Sequence, residues 1–339
     1  MLQLKNTSPF LAAITMFPNE HGIDHLYVII KATFTINGKI EVAEEPSPIH
    51  MADEYWGEPE TSSLKYASEI HLSKPCTDII MTGHACAPDR KPVRALNVTL
   101  AVADKSKTAR VYGDRTWESK VLGLSYSDPM PFETMPLVYE RAYGGCHDVK
   151  GDQKKILAES RNPVGQGFKG KRSSSEFKGK ALPNIEDPRK LISSPGDQPT
   201  PVGFGPVASS WEPRRRYAGT YDKAWQKQRA PYLPDDFDNR FFNSAPPDQI
   251  CNGYLMGGEP VSITNMSENG PLKFNLPSCG MDLKVRVAGK TETPILNLET
   301  VSFEPNQSRF AMTWRAALAC DKKALKVEQV DVGLKSLEI

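Results

Sequence analysis

LYVIIKATFTI, at residues 26–36, is the stretch that decides the expected fold. Every even-numbered residue in it is apolar, whereas Lys31, Thr33 and Thr35 fall at odd-numbered positions. A period of two, carried largely by β-branched and aromatic residues, is typical of a strand that buries one face. The stretch therefore predicts a β-strand that contributes one face to a hydrophobic core.

Similar alternation recurs along the chain, and turn residues separate the repeats. The predicted strands cover residues 96–102 and 109–112 as one hairpin, 261–264 and 272–276 as a second hairpin, 281–287 alone, and 295–303 with 309–318 as an antiparallel pair. Glu268-Asn269-Gly270 is the turn signal of the second hairpin. We therefore predict a mainly β fold of antiparallel sheets, arranged as two packed β subdomains with few helices.

Residues 150–247 differ in character, because glycine, proline, arginine and aromatic residues are dense there. Neither the alternation of a strand nor the apolar periodicity of a helix persists in this segment. Large apolar side chains indicate that most of this segment is ordered against the body; they are Phe204, Trp211, Trp225, Phe237, Phe241 and Phe242. We expect one unit of 339 residues, with a tentative division into an N-terminal β subdomain (1–145), an irregular central segment (146–250) and a C-terminal β subdomain (251–339).

The composition is that of a globular protein, with 39% hydrophobic and 24% charged residues. No stretch approaches the roughly 18 apolar residues of a membrane span, and residues 1–10 lack the charged start and apolar run of a secretory signal. Six cysteines are scattered without a CxxC pair, which suits reduced thiols. We expect a cytoplasmic protein without a membrane partner.

Charge is distributed unevenly along the chain. Residues 150–230 contain 17 Lys and Arg against 8 Asp and Glu, whereas residues 41–60 contain seven acids and no Lys or Arg. We interpret the basic middle as pairing with acidic surface of the same chain, and an external anionic partner is the alternative.

Gly165, Gly167 and Gly170 spell GxGxxG, the motif that cradles a pyrophosphate at a helix N-terminus. No apolar strand precedes these glycines and no amphipathic helix follows them. We therefore interpret them as a turn that needs positive φ angles, and we predict no cofactor.

Metal-ligand spacing is equally incomplete. His21 and His25 are four residues apart, and His84 lies beside Cys86, but neither pair has the third and fourth ligands of a zinc site. The aspartates of residues 235–238 lack the spaced oxygens and glycine of a calcium loop, so a capped turn is the preferred interpretation.

The sequence contains no GxSxG motif, and we predict no catalytic residue. A site assembled from distant residues would leave no motif. A hydrolase or metal-dependent enzyme with its site in the central segment therefore stays open as an alternative.

Arg214-Arg215-Arg216, flanked by Trp211 and Tyr217, could bind phosphates, as could the basic group at residues 169–172. An anion-binding or nucleic-acid-binding protein is thus a further alternative. Arg, Trp and Tyr are also enriched at protein interfaces, which we favour. The candidate basic contact residues are Lys169, Lys171, Arg172, Arg215 and Arg216.

Four long strings resemble a bacterial family of unknown function, DUF2169, whose genes lie beside those of type VI secretion. They are ERAYGG (140–145), RNPVGQGF (161–168), PVGFGPVASSWEPRRRYAGTYDKAW (201–225) and DFDNRFFNSAPPDQ (236–249). The strand at residues 26–36 also looks like the start of the family, so the resemblance covers nearly the whole chain.

The resemblance implies a non-catalytic adaptor or chaperone in the bacterial cytoplasm. Such a protein would bind a type VI effector, often one with a PAAR domain, and help to load it onto the VgrG spike. Nucleic acid is not the expected partner. The family-motif residues, which would serve as scaffold or interface, are Arg161, Asn162, Pro163, Gly167, Trp211, Arg214, Tyr221, Asp222, Trp225, Asp238, Arg240, Phe241, Phe242, Asp248 and Gln249.

Overall fold

The computed structural model describes residues 2–121, 123–149, 155–320 and 325–339. The strands of the first half are β1 (Gln3–Asn6), β2 (Leu11–Pro18), β3 (Asp24–Ile36), β4 (Ile40–Val42), β5 (Glu54–Tyr55), β6 (Leu64–Tyr66), β7 (Asp78–Met81), β8 (His84–Cys86), β9 (Ala95–Val102), β10 (Lys105–Tyr112), β11 (Trp117–Lys120), β12 (Gly123–Tyr126), β13 (Thr134–Pro136), β14 (Tyr143–Gly144) and β15 (Cys146–Val149).

The strands that follow are β16 (Lys155–Ala158), β17 (Gln166–Gly167), β18 (Ile185–Glu186), β19 (Pro260–Thr264), β20 (Leu272–Asn275), β21 (Ser278–Val287), β22 (Lys290–Glu292), β23 (Asn297–Glu304), β24 (Arg309–Ala319) and β25 (Val327–Glu338). The α-helix of the described residues is α1 (Lys223–Gln228). Short 3-10 helices cover Pro88–Arg90, Tyr139–Arg141, Ser174–Phe177, Arg214–Tyr217, Asn239–Phe242, Pro247–Gln249 and Pro305–Gln307. The predicted mainly β, mainly antiparallel fold is confirmed.

The largest sheet has the order β2-β3-β24-β23-β7, and β4 pairs with β3 beyond the end of β2. The predicted strand at residues 26–36 is β3, and it pairs along its length with β24, from Thr35 opposite Arg309 to His25 opposite Ala319. The even-numbered side chains of β3 from Leu26 to Phe34 are buried in the core, as the alternation predicts. β7 joins the far edge in parallel to β23.

Two further sheets pack around the same core. One has the order β18-β10-β9-β19-β20, and the other has the order β1-β25-β21-β22. Both predicted hairpins and the predicted pair at the end of the chain are present, as β9–β10, β19–β20 and β23–β24. Every large sheet takes strands from both ends of the chain, so the sheets are built across the predicted subdomain boundaries at residues 145 and 250.

One hydrophobic cluster joins the three sheets. At its centre Phe34 of β3 stacks on Phe310 of β24, with 5.2 Å between ring centroids, and Phe274 of β20 stacks on Phe310 at 5.1 Å. These contacts connect the largest sheet to the β9–β10 sheet. The shared core therefore explains why strands so far apart in sequence fold together.

The other face of the largest sheet is polar but buried. Lys31, Thr313, Thr300 and Asp78 are successive partners across β3, β24, β23 and β7, and we call them the polar row. Lys31 and Asp78 are no more than 3% exposed. Because a buried charge without a partner costs several kcal/mol, this row requires matching groups above it.

Glu69 and Lys74 supply those groups. The Glu69 carboxylate accepts hydrogen bonds from the Lys31 ammonium and from the Thr313 hydroxyl, each at 2.7 Å. The Lys74 ammonium donates to Asp78 at 2.7 Å and to the Thr300 hydroxyl at 2.8 Å. Glu69 thus bonds to the charge and the hydroxyl of one half of the row, and Lys74 bonds to those of the other half.

A second buried pair lies beside the row. Arg315 of β24 donates through Nε to Glu299 at 2.7 Å and through Nη2 to the Glu69 carbonyl oxygen at 2.6 Å. Burial, together with the charge of Arg315, lowers the pKa of His71 well below its usual value, so the ring is neutral. Its Nδ1–H donates to the Leu72 carbonyl oxygen, which leaves Nε2 to accept from Arg315.

The central segment covers this layer. Asn243 Nδ2 donates to Asp78 at 2.8 Å, the Ser244 N–H donates to the same carboxylate at 2.7 Å, and the Val207 N–H donates to the Ser244 carbonyl oxygen at 2.7 Å. Phe204 and Trp211 are buried, whereas Trp225, Phe237, Phe241 and Phe242 are half-buried. The segment is therefore irregular but seated on the sheet by hydrogen bonds to buried charges.

The pairing of the basic middle with acidic surface elsewhere is not what the structure shows. Among the described residues of this segment, Arg161, Arg189, Arg216 and Arg229 pair with acids two to six positions away in the chain. Short-range pairs form because turns bring neighbouring side chains together. The acids at residues 41–60 make no ion pair with them in the part of the chain that the structure describes.

Glu69→Gln should destabilise the protein, because it leaves the Lys31 ammonium without its buried partner. We expect the free energy of unfolding at pH 7 to fall by about 3–5 kcal/mol in urea titrations. Glu54→Gln is the control, since Glu54 is exposed and its pair with His50 contributes at most about 1 kcal/mol. Equal losses in the two variants would contradict the burial of the charge.

The same pair gives a pH dependence. Burial alone would raise the pKa of Glu69, but the Lys31 ammonium, the His50 N–H and the Thr313 hydroxyl together hold it below its usual value. Its contribution is therefore present above the unfolded pKa of about 4.3 and lost as the pH falls through the folded pKa. Wild-type stability should fall more steeply on acidification than that of Glu69→Gln, and parallel curves would refute the assignment.

Candidate binding cleft

The candidate site with the most lining residues from the family strings is a surface cleft of about 840 Å³, its open mouth included. We call it the motif cleft. Its lining residues are Lys107, Tyr139, Arg161, Asp187, Arg189, Thr200, Pro201, Val202, Val207, Glu212, Pro213, Pro246, Pro247 and Asp248. Nine of these fourteen residues come from three of the strings, those at 161–168, 201–225 and 236–249. Segments distant in sequence therefore converge on one surface.

The floor of the cleft is aromatic. Tyr139 is 5% exposed and meets the Trp211 ring edge to face, with 5.5 Å between centroids. Gly203 lies against the Tyr139 ring so closely that a Cβ there would collide with it. Leu64, Val207 and Ala208 complete this small cluster. The glycine and aromatic positions of the strings thus fix the shape of the cleft.

Every charged side chain in the cleft has an opposite charge close by. Lys107 pairs with Asp248 at 2.9 Å, Arg161 with Glu159 at 2.7 Å, Arg189 with Asp187 at 2.9 Å, and Glu212 with Arg216 at 2.9 Å. Burial lowers the pKa of Lys107, and Asp248 opposes that effect. Four prolines and two valines fill the spaces between the pairs. The surface of the cleft therefore combines apolar area with ion pairs whose charges cancel.

Gly165, Gly167 and Gly170 lie beside this cleft, and Gly167 belongs to the short strand β17. Asn162 is fully buried and donates through Nδ2 to the carbonyl oxygens of Tyr139 and Tyr143, at 2.8 and 3.0 Å. Gly167 has φ +95°, and a Cβ on Gly165 would collide with the Ala142 carbonyl oxygen. The next helical turn is the short 3-10 helix Ser174–Phe177, which does not follow directly. Gly167 and Gly170 have the positive φ angles that the sequence predicts, but Gly167 lies in a strand, so the three glycines do not form a single turn.

The arginine triplet is divided between interior and surface. Arg214 is 9% exposed and donates to the carbonyl oxygens of Val207 and Phe241, at 2.6 and 2.9 Å. Burial lowers its pKa. Arg215 and Arg216 are exposed, and Arg216 pairs with Glu212. Arg214 therefore supports the backbone, and a phosphate would meet only its two neighbours.

The helix α1 carries another exposed group of motif residues. Asp222 caps its N-terminus by accepting from the Trp225 N–H at 2.8 Å. Trp225 donates through Nε1 to the Tyr232 carbonyl oxygen and meets Tyr221 edge to face at 4.7 Å. Tyr221 is 53% exposed. Among the motif residues, Tyr221 is therefore the exposed aromatic side chain, and Trp225 beside it is half-buried.

The last string is mainly structural. Asp238 caps the 3-10 helix Asn239–Phe242 and pairs with Arg240, whose guanidinium lies over the Tyr217 ring at 4.4 Å. Phe241 and Phe242 meet at 5.7 Å, and Phe242 stacks on His71. Gln249 is buried and donates to the Ile79 carbonyl oxygen at 3.0 Å. Pro246, Pro247 and Asp248 are the members of this string that line the motif cleft.

The basic loop at residues 169–172 is tied to its own neighbourhood. Arg172 donates to the carbonyl oxygens of Phe168 and Cys146, at 2.8 and 3.0 Å, and Lys169 donates to the Ser174 hydroxyl. Lys171 is exposed. No hydrogen bond or ion pair in the described chain joins this loop to Arg215 or Arg216, so the structure does not bring the two basic groups into direct contact.

The other candidate ligands lie apart. His21 is exposed in a turn, whereas His25 in β3 and His84 at the start of β8 are half-buried. Asp235 pairs with Arg229, and Asp236 accepts from the Thr220 N–H and hydroxyl. Within the described ranges no group of three His, Cys, Asp or Glu side chains has the arrangement of a metal site. The aspartates act as caps and pair partners.

Sequence patterns did not reveal the polar layer on the largest sheet. Lys31 at an odd position of β3 looks like a solvent-facing residue, and Glu69, Lys74, Glu299 and Arg315 carry no motif. The available signal was the high density of apolar residues around Lys31. That signal does not identify the distant segments that cover the strand.

The chain is thus a mainly β protein with a surface cleft that is lined by segments distant in sequence. The chain belongs to the DUF2169 family, described as an uncharacterized protein conserved in bacteria, because the family model matches residues 21–315. No curated protein and no solved structure matches the chain. Within the described residues no helix is long and apolar enough to cross a membrane.

Two adjacent arginines provide a matched test of the scaffold. Arg214→Ala should lower the free energy of unfolding by about 3 kcal/mol, because two buried carbonyl oxygens lose a charged donor. Arg215→Ala should change it by no more than about 0.5 kcal/mol, since its side chain is exposed. Chemical denaturation of both variants measures the difference. A similar effect of the two substitutions would show that Arg214 does not support the fold.

Proposed function

We propose that this protein is a non-catalytic adaptor or chaperone that binds a type VI secretion effector in the bacterial cytoplasm and helps to load it onto the VgrG spike. The effector class includes those with a PAAR domain. The observation that carries the proposal is the convergence of three family strings on the motif cleft. A cleft assembled from family strings can serve a function that proteins with these strings share.

The chemistry of the cleft favours protein contact. Proline, valine and tyrosine surfaces offer apolar area, and the paired charges around them give directional contacts at the rim. Interfaces that form and release combine these features, because rim charges steer association while a modest apolar centre limits affinity. An adaptor that must surrender its client needs such a balance.

Co-purification with the effector encoded beside this gene tests the proposal. We expect a stable complex, and lower effector solubility when this protein is absent. No complex together with unchanged effector solubility would remove the adaptor hypothesis. Measurable turnover of a substrate in the cleft would instead support the enzyme alternative.

Thr200→Trp and Arg189→Glu should weaken effector binding, because both residues are exposed at the cleft, where one change adds bulk and the other reverses a rim charge. We expect Thr200→Trp to raise Kd by roughly tenfold, which is a loss of about 1.4 kcal/mol. Arg90→Glu is the matched control, since Arg90 is equally exposed and paired with one acid but lies outside the cleft. Unchanged affinity in both cleft variants would place the client elsewhere.

A further inference from the structure

A second cleft lies on the polar face of the largest sheet and takes no part in the proposed function. Its empty volume, with the open mouth included, is about 560 Å³. Lys31 and Thr300 of the polar row line one end, and Glu304 lines the other.

Small side chains in one row of the sheet create the space. Thr33, Ala311, Ser302 and Ile80 are successive partners next to the polar row on the same face. Alanine and serine at the centre of that row leave room above the sheet. Segments 47–50 and 65–69, with Pro206 and Ser244, form the walls. The cleft is thus a product of the sheet register and not a gap between loops.

Three side chains that line this cleft can still donate a hydrogen bond. The Lys31 ammonium donates to Glu69 and to the Pro48 carbonyl oxygen, and the Lys74 ammonium donates to Asp78 and Thr300, so each has one N–H left among the described residues. The Ser47 hydroxyl is buried and has no partner there. Buried donors are normally satisfied, so these three groups favour a ligand that accepts hydrogen bonds.

The acceptors nearby are already occupied. Glu69 accepts from Lys31, Thr313 and the His50 N–H, and Asp78 accepts from Lys74, Asn243 and the Ser244 N–H. A ligand that needed acceptors would therefore find few here. Because the donors are free and these acceptors are occupied, a cationic ligand is not favoured.

One positive charge in the cleft lacks an acidic partner. Lys31, Lys74 and Arg309 are paired with Glu69, Asp78 and Glu304. Lys65 makes no ion pair in the described chain, and its ammonium lies 5.1 Å from the ring centroids of both Trp56 and Tyr66. Lys65 lines the cleft. The site therefore carries one uncompensated positive charge beside three free donors.

We propose that this cleft binds a small monovalent carboxylate, held by Lys31, Lys74 and Ser47 and neutralised by Lys65. A carboxylate accepts through two oxygens and carries the single charge that the site lacks. The carboxylate belongs either to a small molecule or to the C-terminus of a polypeptide.

Calorimetric titration of the full chain with acetate and with acetamide is the direct test. Acetate should bind saturably and acetamide should not, because the two differ in charge and not in shape. A crystal structure with acetate should place the carboxylate within hydrogen-bond distance of Ser47 and both buried ammonium groups. Equal binding of the two probes, or acetate bound only elsewhere, would overturn the proposal.

Two variants connect the binding to these residues. Ser47→Ala and Lys65→Met should each weaken acetate binding by about tenfold, as expected for loss of one bond to a charged group. Neither change leaves a buried acid without its partner. Ser262→Ala and Lys273→Met on the β19–β20 hairpin are the controls and should bind acetate like the wild type. Wild-type affinity in both cleft variants would refute the assignment.

A short peptide with a free C-terminus and its amidated form distinguish the two sources. Binding of the free peptide but not of the amide would indicate a polypeptide C-terminus as the natural ligand. If acetate binds and neither peptide does, the ligand is a small carboxylate. Both results support carboxylate recognition, whereas failure of acetate and of the free peptide together contradicts it.

Discussion

The structure depends on the burial of charge on the polar face of its largest sheet. A sheet with one face in a hydrophobic core normally leaves the other face to water, but here Lys31 and Asp78 are covered by other segments and have almost no exposure. Residues 48 and 69 bond to Lys31, and the central segment bonds to Asp78. Such charges are tolerated only when opposite charges and hydrogen bonds surround them. Glu69 and Lys74 meet that requirement from segments outside the sheet, so the position of those segments is fixed by the sheet itself.

This constraint accounts for the order of a segment that has little regular secondary structure. Asp78 accepts from Asn243 and from the Ser244 N–H, and Arg214 then holds the backbone at Val207 and Phe241. The walls of the motif cleft follow from these attachments, because its proline and valine residues lie on the same stretch of chain. The cleft is therefore a surface supported by buried polar contacts, and its shape depends on all of these contacts being formed.

The sequence predicted the strands well and the polar layer not at all. Period-two alternation identified β3, β9, β21 and β24, since each has one face in the shared core. The partners of Lys31 and Asp78 could not be found in this way, because Glu69 and Asn243 are distant in sequence and sit in irregular chain. Arg214 was grouped with Arg215 and Arg216 as surface charge, although the fold of its turn directs it inward. Local patterns report which face is apolar, but the groups that cover a polar face are set by tertiary contacts.

The most direct test of the account is native-state hydrogen exchange in the central segment. If buried charges seat this segment on the sheet, the amide protons of Val207 and Ser244 should be as protected as those of β3 and should exchange only with global unfolding. Fast exchange of these two amides through local opening, while β3 remains protected, would show that the segment is loosely attached and would contradict the account.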